Sequence, residues 1–148
     1  MLLFNHALAG SIVAVITPVP AAVPVVAFAT HYLLDLTPHA HGEEPPFSRF
    51  LKIQIGIDLV LTPFAVLFAF VLFPDQWFIV GVGALFGMAP DFLWILWRRP
   101  GLPKWFNKFL DWAHYIQWGE RPYGWIFDAT YGMIMCITLY LLAGQPWG

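Results

Sequence analysis

The chain has 148 residues, 59% hydrophobic and only 11% charged, with a mean hydropathy of +0.68 and a formal net charge of −2. Soluble domains carry about 25% charged residues, so this composition excludes a soluble enzyme and indicates a membrane protein with almost no extramembrane part. No basic stripe is present to bind nucleic acid, and the single cysteine, Cys136, excludes an internal disulfide.

Five apolar segments follow in chain order, and their helical lengths predict an all-α polytopic fold in a single membrane domain, residues 1–148. The first, about Leu2 to Thr17, ends at Pro18-Val19-Pro20, which stops a helix. No basic stretch precedes it, so it does not read as a cleaved signal, and the N-terminus is expected to be retained. The second, Ala21 to about Leu36, carries Pro24 in its first turn and stops before Pro38. Both fall short of the roughly 20 residues of a full span, so residues 1–36 are expected to form a short helical hairpin. Segments three (Leu51 to Phe73) and four (Gln76 to Trp97) are full length and form a second hairpin over 51–97, turning at Pro74-Asp75. Residues 104–118 space Trp105, Phe106, Phe109, Trp112, Ala113 and Ile116 along one helical face, as an interfacial helix does. Segment five, 125–143, closes the membrane domain.

All seven basic residues (Arg49, Lys52, Arg98, Arg99, Lys104, Lys108 and Arg121) fall on one side of this arrangement. The positive-inside rule places that side, with the N-terminus and the basic loops, in the cytoplasm. The expected location is therefore a bacterial-type inner (cytoplasmic) membrane, crossed several times. Trp94, Trp97, Trp105, Trp112, Trp118 and Trp125 mark the same interface, and Trp77 and Trp147 the opposite one.

Ionisable side chains within apolar segments are costly and mark functional sites, and here they share one depth. His6 opens segment one, and His31 and Asp35 stand one helical turn apart on one face of segment two. His39 follows the helix-breaking Pro38. Asp58 lies two turns into segment three, Asp91 follows Pro90 near the end of segment four, and His114 sits on the interfacial helix. Imidazole and carboxylate donors suit zinc and other first-row divalent ions. A bound cation also offsets the cost of buried carboxylates. We therefore take His6, His31, Asp35, His39, Asp58, Asp91 and His114 as candidate ligands of one or two divalent ions, zinc first and manganese second. Asp35 or Asp58 is a candidate general base wherever it is not a ligand. Each has a bland alternative: an interhelical hydrogen bond for His31, ion pairs for Asp35 with Arg49, Asp58 with Lys52 and Asp91 with Arg98 or Arg99. His39, like His41, can be a loop residue, and His6 and His114 simple interface residues. Asp128 and Glu120 read as interfacial or paired with Arg121.

The motifs His31-x-x-x-Asp35-x-x-Pro38-His39, Asn5-His6-Ala7-Leu8-Ala9-Gly10 and Ala89-Pro90-Asp91 resemble those of small bacterial membrane-bound metal-dependent hydrolases, relatives of the LexA-regulated inner-membrane hydrolases. More distantly, His-x-x-x-Asp on one helix is similar to the ligand pattern of the all-helical zinc-dependent phospholipase C class. The resemblance implies that His6, His31, Asp35 and Asp91 are ligands, with His39 beside them. Two departures stand out. Phe92-Leu93-Trp94 follow Pro90-Asp91, where relatives continue with a further Asp and His, and the order of the motifs is reversed.

The expected function is hydrolysis of a phosphoester or other ester, on a lipid or amphiphile met at the cytoplasmic interface. Membrane lipid is the expected partner, and a homo-oligomer is compatible with the sequence. Two other classes use the same residues. A small transporter subunit for protons or metal ions would line a path with them, although the far halves of segments three to five offer little beyond Thr62 and Thr138. A structural membrane protein would use them to join helices.

Overall fold

The computed structural model describes residues 1–40, 49–93, 96, 100–115, 119–121 and 123–145, apart from the side chains of Arg49, Phe50, Leu51, His114 and Glu120. Six α-helices make up the described chain: α1 (Leu3–Ile16), α2 (Val23–Asp35), α3 (Arg49–Leu72), α4 (Trp77–Leu93), α5 (Lys104–Tyr115) and α6 (Trp125–Ala143). Three stretches are long and apolar enough to cross a membrane, Lys52–Leu72, Pro74–Leu93 and Trp125–Ala143. The sequence had suggested about five apolar helices, the first two short; among the described residues three are long and apolar enough to cross, and α1 and α2 are not among them. At 14 residues, α1 extends only about 21 Å at 1.5 Å per residue, against about 30 Å of hydrocarbon.

Helix α1 is the centre of the molecule. Ala7, Leu8, Ala9, Gly10, Val13 and Ala14 are all buried along it, sheathed by α2, α3, α4 and α6. Its surroundings are protein rather than lipid, which removes the length requirement of a lipid-facing span. Only small residues allow this. A Cβ on Gly10 would overlap the Gly83 carbonyl, one on Gly83 the Gly10 carbonyl, and one on Gly87 the His6 carbonyl. The antiparallel pairs His6/Gly87 and Gly10/Gly83 thus bring the α1 and α4 backbones into direct contact, as small-xxx-small faces do in membranes.

Helix α2 is peripheral and buries one stripe, Val23, Ala27, His31 and Asp35, each four residues from the last. Its other side exposes Val25 and Leu33, as a lipid-facing surface does. A single 3-10 turn at Pro20–Ala22 joins it to α1, and another at Pro74–Gln76 joins α3 to α4. Pro20 and Pro74 open these turns, where a missing N–H costs little. Pro63 and Pro90 lie inside α3 and α4.

The five helices other than α5 run so that the start of α1, the end of α2, the starts of α3 and α6 and the end of α4 share one end of the bundle. The opposite half is a packed apolar core of Leu8, Ala14, Val15, Val23, Ala65, Ala69, Phe73, Val80 and Leu139. At the polar end the chain departs from helix. His39–Ala40 (β1) pairs in parallel with Glu120–Arg121 (β2), His39 opposite Glu120 and Ala40 opposite Arg121. The all-helical reading did not include this clasp. Gly119 and Gly124 permit it, because a Cβ on either would overlap the carbonyl of Thr37 or His39.

Helix α5 leans its aromatic ridge on α2. Tyr32 meets Phe109 and Trp112 at centroid distances of 6.4 and 5.6 Å. Leu110 is buried, whereas Trp105, Trp112 and Tyr115 remain exposed. The expected interfacial helix ran to residue 118; residues 116–118 lie outside the described part.

Candidate metal centre

Four of the candidate residues meet at the polar end of the bundle, drawn from three helices. His6 comes from the second turn of α1, His31 and Asp35 from the end of α2, and Asp91 from the end of α4. The His6 and His31 rings stack, with centroids 3.8 Å apart and planes at 23°. Asp35 places Oδ1 3.3 Å from His6 Nε2 and Oδ2 3.1 Å from His31 Nε2. Asp91 approaches the same two nitrogens, Oδ2 at 4.0 Å from His6 Nε2 and Oδ1 at 3.7 Å from His31 Nε2. The Met1 ammonium lies 3.1 Å from Asp35 Oδ1.

Hydrogen bonding sharpens what this arrangement lacks. His31 Nδ1 donates to the Gly87 carbonyl at 2.8 Å. In a neutral ring the lone pair then sits on Nε2, facing two carboxylates. His6 Nδ1 is buried without a partner, while His6 Nε2 and Asp35 Oδ2 have only each other's group and His31 Nε2 within 3.1–3.3 Å, with no well-aligned hydrogen bond. Buried polar atoms of this kind are rarely left unsatisfied, and acceptors facing acceptors need a cation or a proton between them. Zinc takes nitrogen and oxygen donors at about 2.0–2.2 Å, which sets donors on one ion about 3–4 Å apart. The four nitrogen–oxygen separations, 3.1 to 4.0 Å, fall in that range. His6, His31 and Asp91 form a group that could hold a metal ion, with their ligand atoms all within 4.8 Å of one another. Asp35 stands directly against it.

Burial differs across the group. His6, His31 and Asp35 are closed off, while the Asp91 side chain is 33% exposed. Access to the centre is therefore from the Asp91 side, at the end of α4.

Asp58 and His39 make other contacts. Asp58 accepts the backbone N–H of Phe4 at 3.3 Å and also faces that of Leu3, so it serves the free amides at the start of α1. A carboxylate there also complements the positive end of the helix dipole. His39 is buried on β1, with Nδ1 donating to the Thr37 carbonyl at 2.7 Å. Burial and the nearby Met1 ammonium push its pKa down to about 4, which keeps the ring neutral. His114 lies on α5 with its side chain outside the description, as do the side chain of Arg49 and the whole of His41, Arg98 and Arg99, which had been weighed as loop or pairing residues.

Sequence reasoning passed over Asp128. It had read as an interfacial residue, yet it is fully buried and is the hub of the polar end. Its Oδ1 accepts Leu2 N–H at 3.4 Å and Asn5 Nδ2 at 3.2 Å, and its Oδ2 accepts Ala40 N–H at 2.9 Å. The Asn5 amide also donates to the Asp128 carbonyl at 3.0 Å. One carboxylate thus ties α1, the β1 clasp and α6 together. Its depth, one turn into α6 on the basic side, was a usable signal, since the other candidates were chosen by that criterion.

Comparison with family models, with curated proteins and with solved structures finds no match. The reading of this centre therefore rests on its own chemistry.

Proposed function

We propose that the protein is a membrane-embedded, metal-dependent hydrolase acting at the cytoplasmic interface on a phosphoester or other ester of a lipid or amphiphile. The observation that carries this reading is the convergence of His6 Nε2 and His31 Nε2 on the Asp35 and Asp91 carboxylates, inside the bundle but reachable past Asp91. His6, His31 and Asp91 would hold a zinc or manganese ion, with Asp35 as a fourth ligand or as general base. A divalent ion there would polarise an ester oxygen and acidify water. Asp58 accepts amide N–H groups at the start of α1, which favours Asp35 over Asp58 as the base. The aromatic residues of α5 and the basic residues expected near the cytoplasmic headgroups support an amphiphile arriving along the membrane surface.

The apolar half of the bundle favours hydrolysis over transport. Beyond the centre, Leu8, Val23, Val80 and Leu139 are packed at 0–1% exposure, and the Thr138 hydroxyl is engaged by the Ile134 carbonyl. Among the described residues the buried hydroxyls beyond the centre are few, with Ser11 bonded to the Ala7 carbonyl and Thr62 unpartnered.

Protein purified without chelator should contain close to one equivalent of zinc or manganese by elemental analysis. It should hydrolyse at least one member of a panel of phosphate and carboxylate esters with acyl chains. The His31→Ala, Asp35→Ala double variant should lose both properties. Unchanged metal content in that variant would sink the metal assignment. Metal-ion flux into proteoliposomes without any hydrolysis would replace the enzyme with a transporter.

A further inference from the structure

Gly87 meets both histidines of the centre. Its carbonyl accepts His31 Nδ1–H at 2.8 Å. Its α-carbon lies so close to α1 that an added Cβ would overlap the His6 carbonyl and come within 3.2 Å of the Gly10 α-carbon. Asp91 follows one helical turn later on the same face. Pro90 lies between them. Lacking an N–H, it leaves the Phe86 carbonyl without its ladder donor in the turn that carries Gly87. The helix is thus irregular where its backbone serves a side chain from α2.

From this we infer that Gly87 is a positioning residue for the metal centre: its missing side chain sets how closely His6 approaches, and its carbonyl aims His31 Nε2 at the ion. The inference rests on the metal reading above. Two consequences follow. His31 binds through Nε2 and holds its proton on Nδ1 whether or not metal is present. Filling the space at Gly87 pushes α1 outward and spoils the His6–His31 spacing, while equal crowding one turn further along spoils only packing. Gly83 supplies that comparison. A Cβ there would overlap the Gly10 carbonyl and come within 2.8 Å of the Ala14 side chain, so its nearest neighbours are Gly10 and Ala14 and not a histidine.

The test uses the full chain in detergent, as wild type, Gly83→Ala and Gly87→Ala. Zinc affinity is measured by competition with a chromophoric chelator, and thermal stability is followed in parallel. Both variants should lose stability, but only Gly87→Ala should lose zinc affinity, by about ten-fold or more, as expected when the group orienting a ligand is disturbed. Equal affinity losses in the two variants, or an unchanged affinity in Gly87→Ala, would overturn the inference. A wild-type protein that takes up no zinc would instead overturn the metal reading. Nitrogen-15 histidine spectra of the wild type give an answer that needs no substitution, so it stands even if Gly87→Ala does not fold. The His31 proton should be on Nδ1 in the metal-free protein, and zinc should shift Nε2. An Nδ1 without its proton in the metal-free protein, or coordination through Nδ1, would refute the assignment.

Discussion

The polar end depends on individual carboxylates doing different work, and single substitutions separate them. Asp128→Ala strands the Leu2 and Ala40 amides without their acceptor and leaves the Asn5 amide only the main-chain carbonyl of residue 128. Buried donors left unpaired cost about 1–3 kcal/mol each, so a total loss of about 3 kcal/mol or more is expected in denaturant unfolding. Asp58→Ala removes the acceptor at the start of α1. The loss should be about 1 kcal/mol, the usual scale of a helix N-terminal acceptor, and metal content should be unchanged if Asp58 is not a ligand. Elemental analysis of that variant distinguishes the two roles that sequence allowed it. His39 provides a pH test with a defined sign. Its folded pKa is held down to about 4, below the ordinary 6.5, so between those values only the unfolded chain takes the proton. Its contribution to stability is complete above pH 6.5 and is lost as pH falls through 4. A His39→Gln variant should show a flatter stability profile over that window.

At the scale of elements, glycines explain how short side chains from three helices can share a centre. Packed helices ordinarily lie 8–10 Å apart, too far for Asp and His on separate helices to converge. In this bundle three such residues have a glycine one turn away on their own helix, Gly10 after His6, Gly87 before Asp91 and Gly132 after Asp128, while α2, which carries His31 and Asp35, has none. A Cβ on Gly132 would come within 2.5 Å of the Phe4 ring and 3.0 Å of Asn5 Oδ1. Close backbone approach and polar convergence are therefore one design. Gly10→Leu should separate α1 from α4 and cost more stability than typical surface changes, several kcal/mol on the scale of core overpacking and strain, with loss of metal alongside. The helices themselves were legible, since α1, α2 and α6 lie within a residue or two of the apolar segments that predict them. Their burial was not. A run of 14 residues of uniform hydropathy reads the same whether lipid or protein surrounds it, and only its content of Ala, Gly and Ser hinted at the latter.

For the whole molecule, the arrangement places the Pro74–Gln76 turn at the end of the bundle opposite the His/Asp group. By the positive-inside rule that group is expected on the cytoplasmic side. In a Cys136→Ser background, a cysteine at Asp75 should react with an impermeant maleimide in intact cells, and one at Lys104 only after permeabilisation. The reverse pattern would invert the orientation. Metal binding should also stabilise the assembled bundle, because its donors come together only when α1, α2 and α4 are packed. At a free ion concentration 100 times Kd the gain is about 2.7 kcal/mol, visible as a fall in Tm when chelator is added.

Composition and the spacing of apolar runs, prolines and charges were enough to determine a helical membrane chain, its short first hairpin, and the gathering of ionisable residues at one end. Those properties follow from local chemistry: hydropathy, helix-breaking residues and the cost of burying charge. The tertiary structure alone decided that α1 is the core rather than a span, and that Asp58 and Asp128 secure its start. It also decided that His6, His31, Asp35 and Asp91 face one another. The reason is geometric. Depth along a helix can be counted from residue number, but which carboxylate meets which imidazole depends on rotation and on backbone separations closed by glycines distant in the chain.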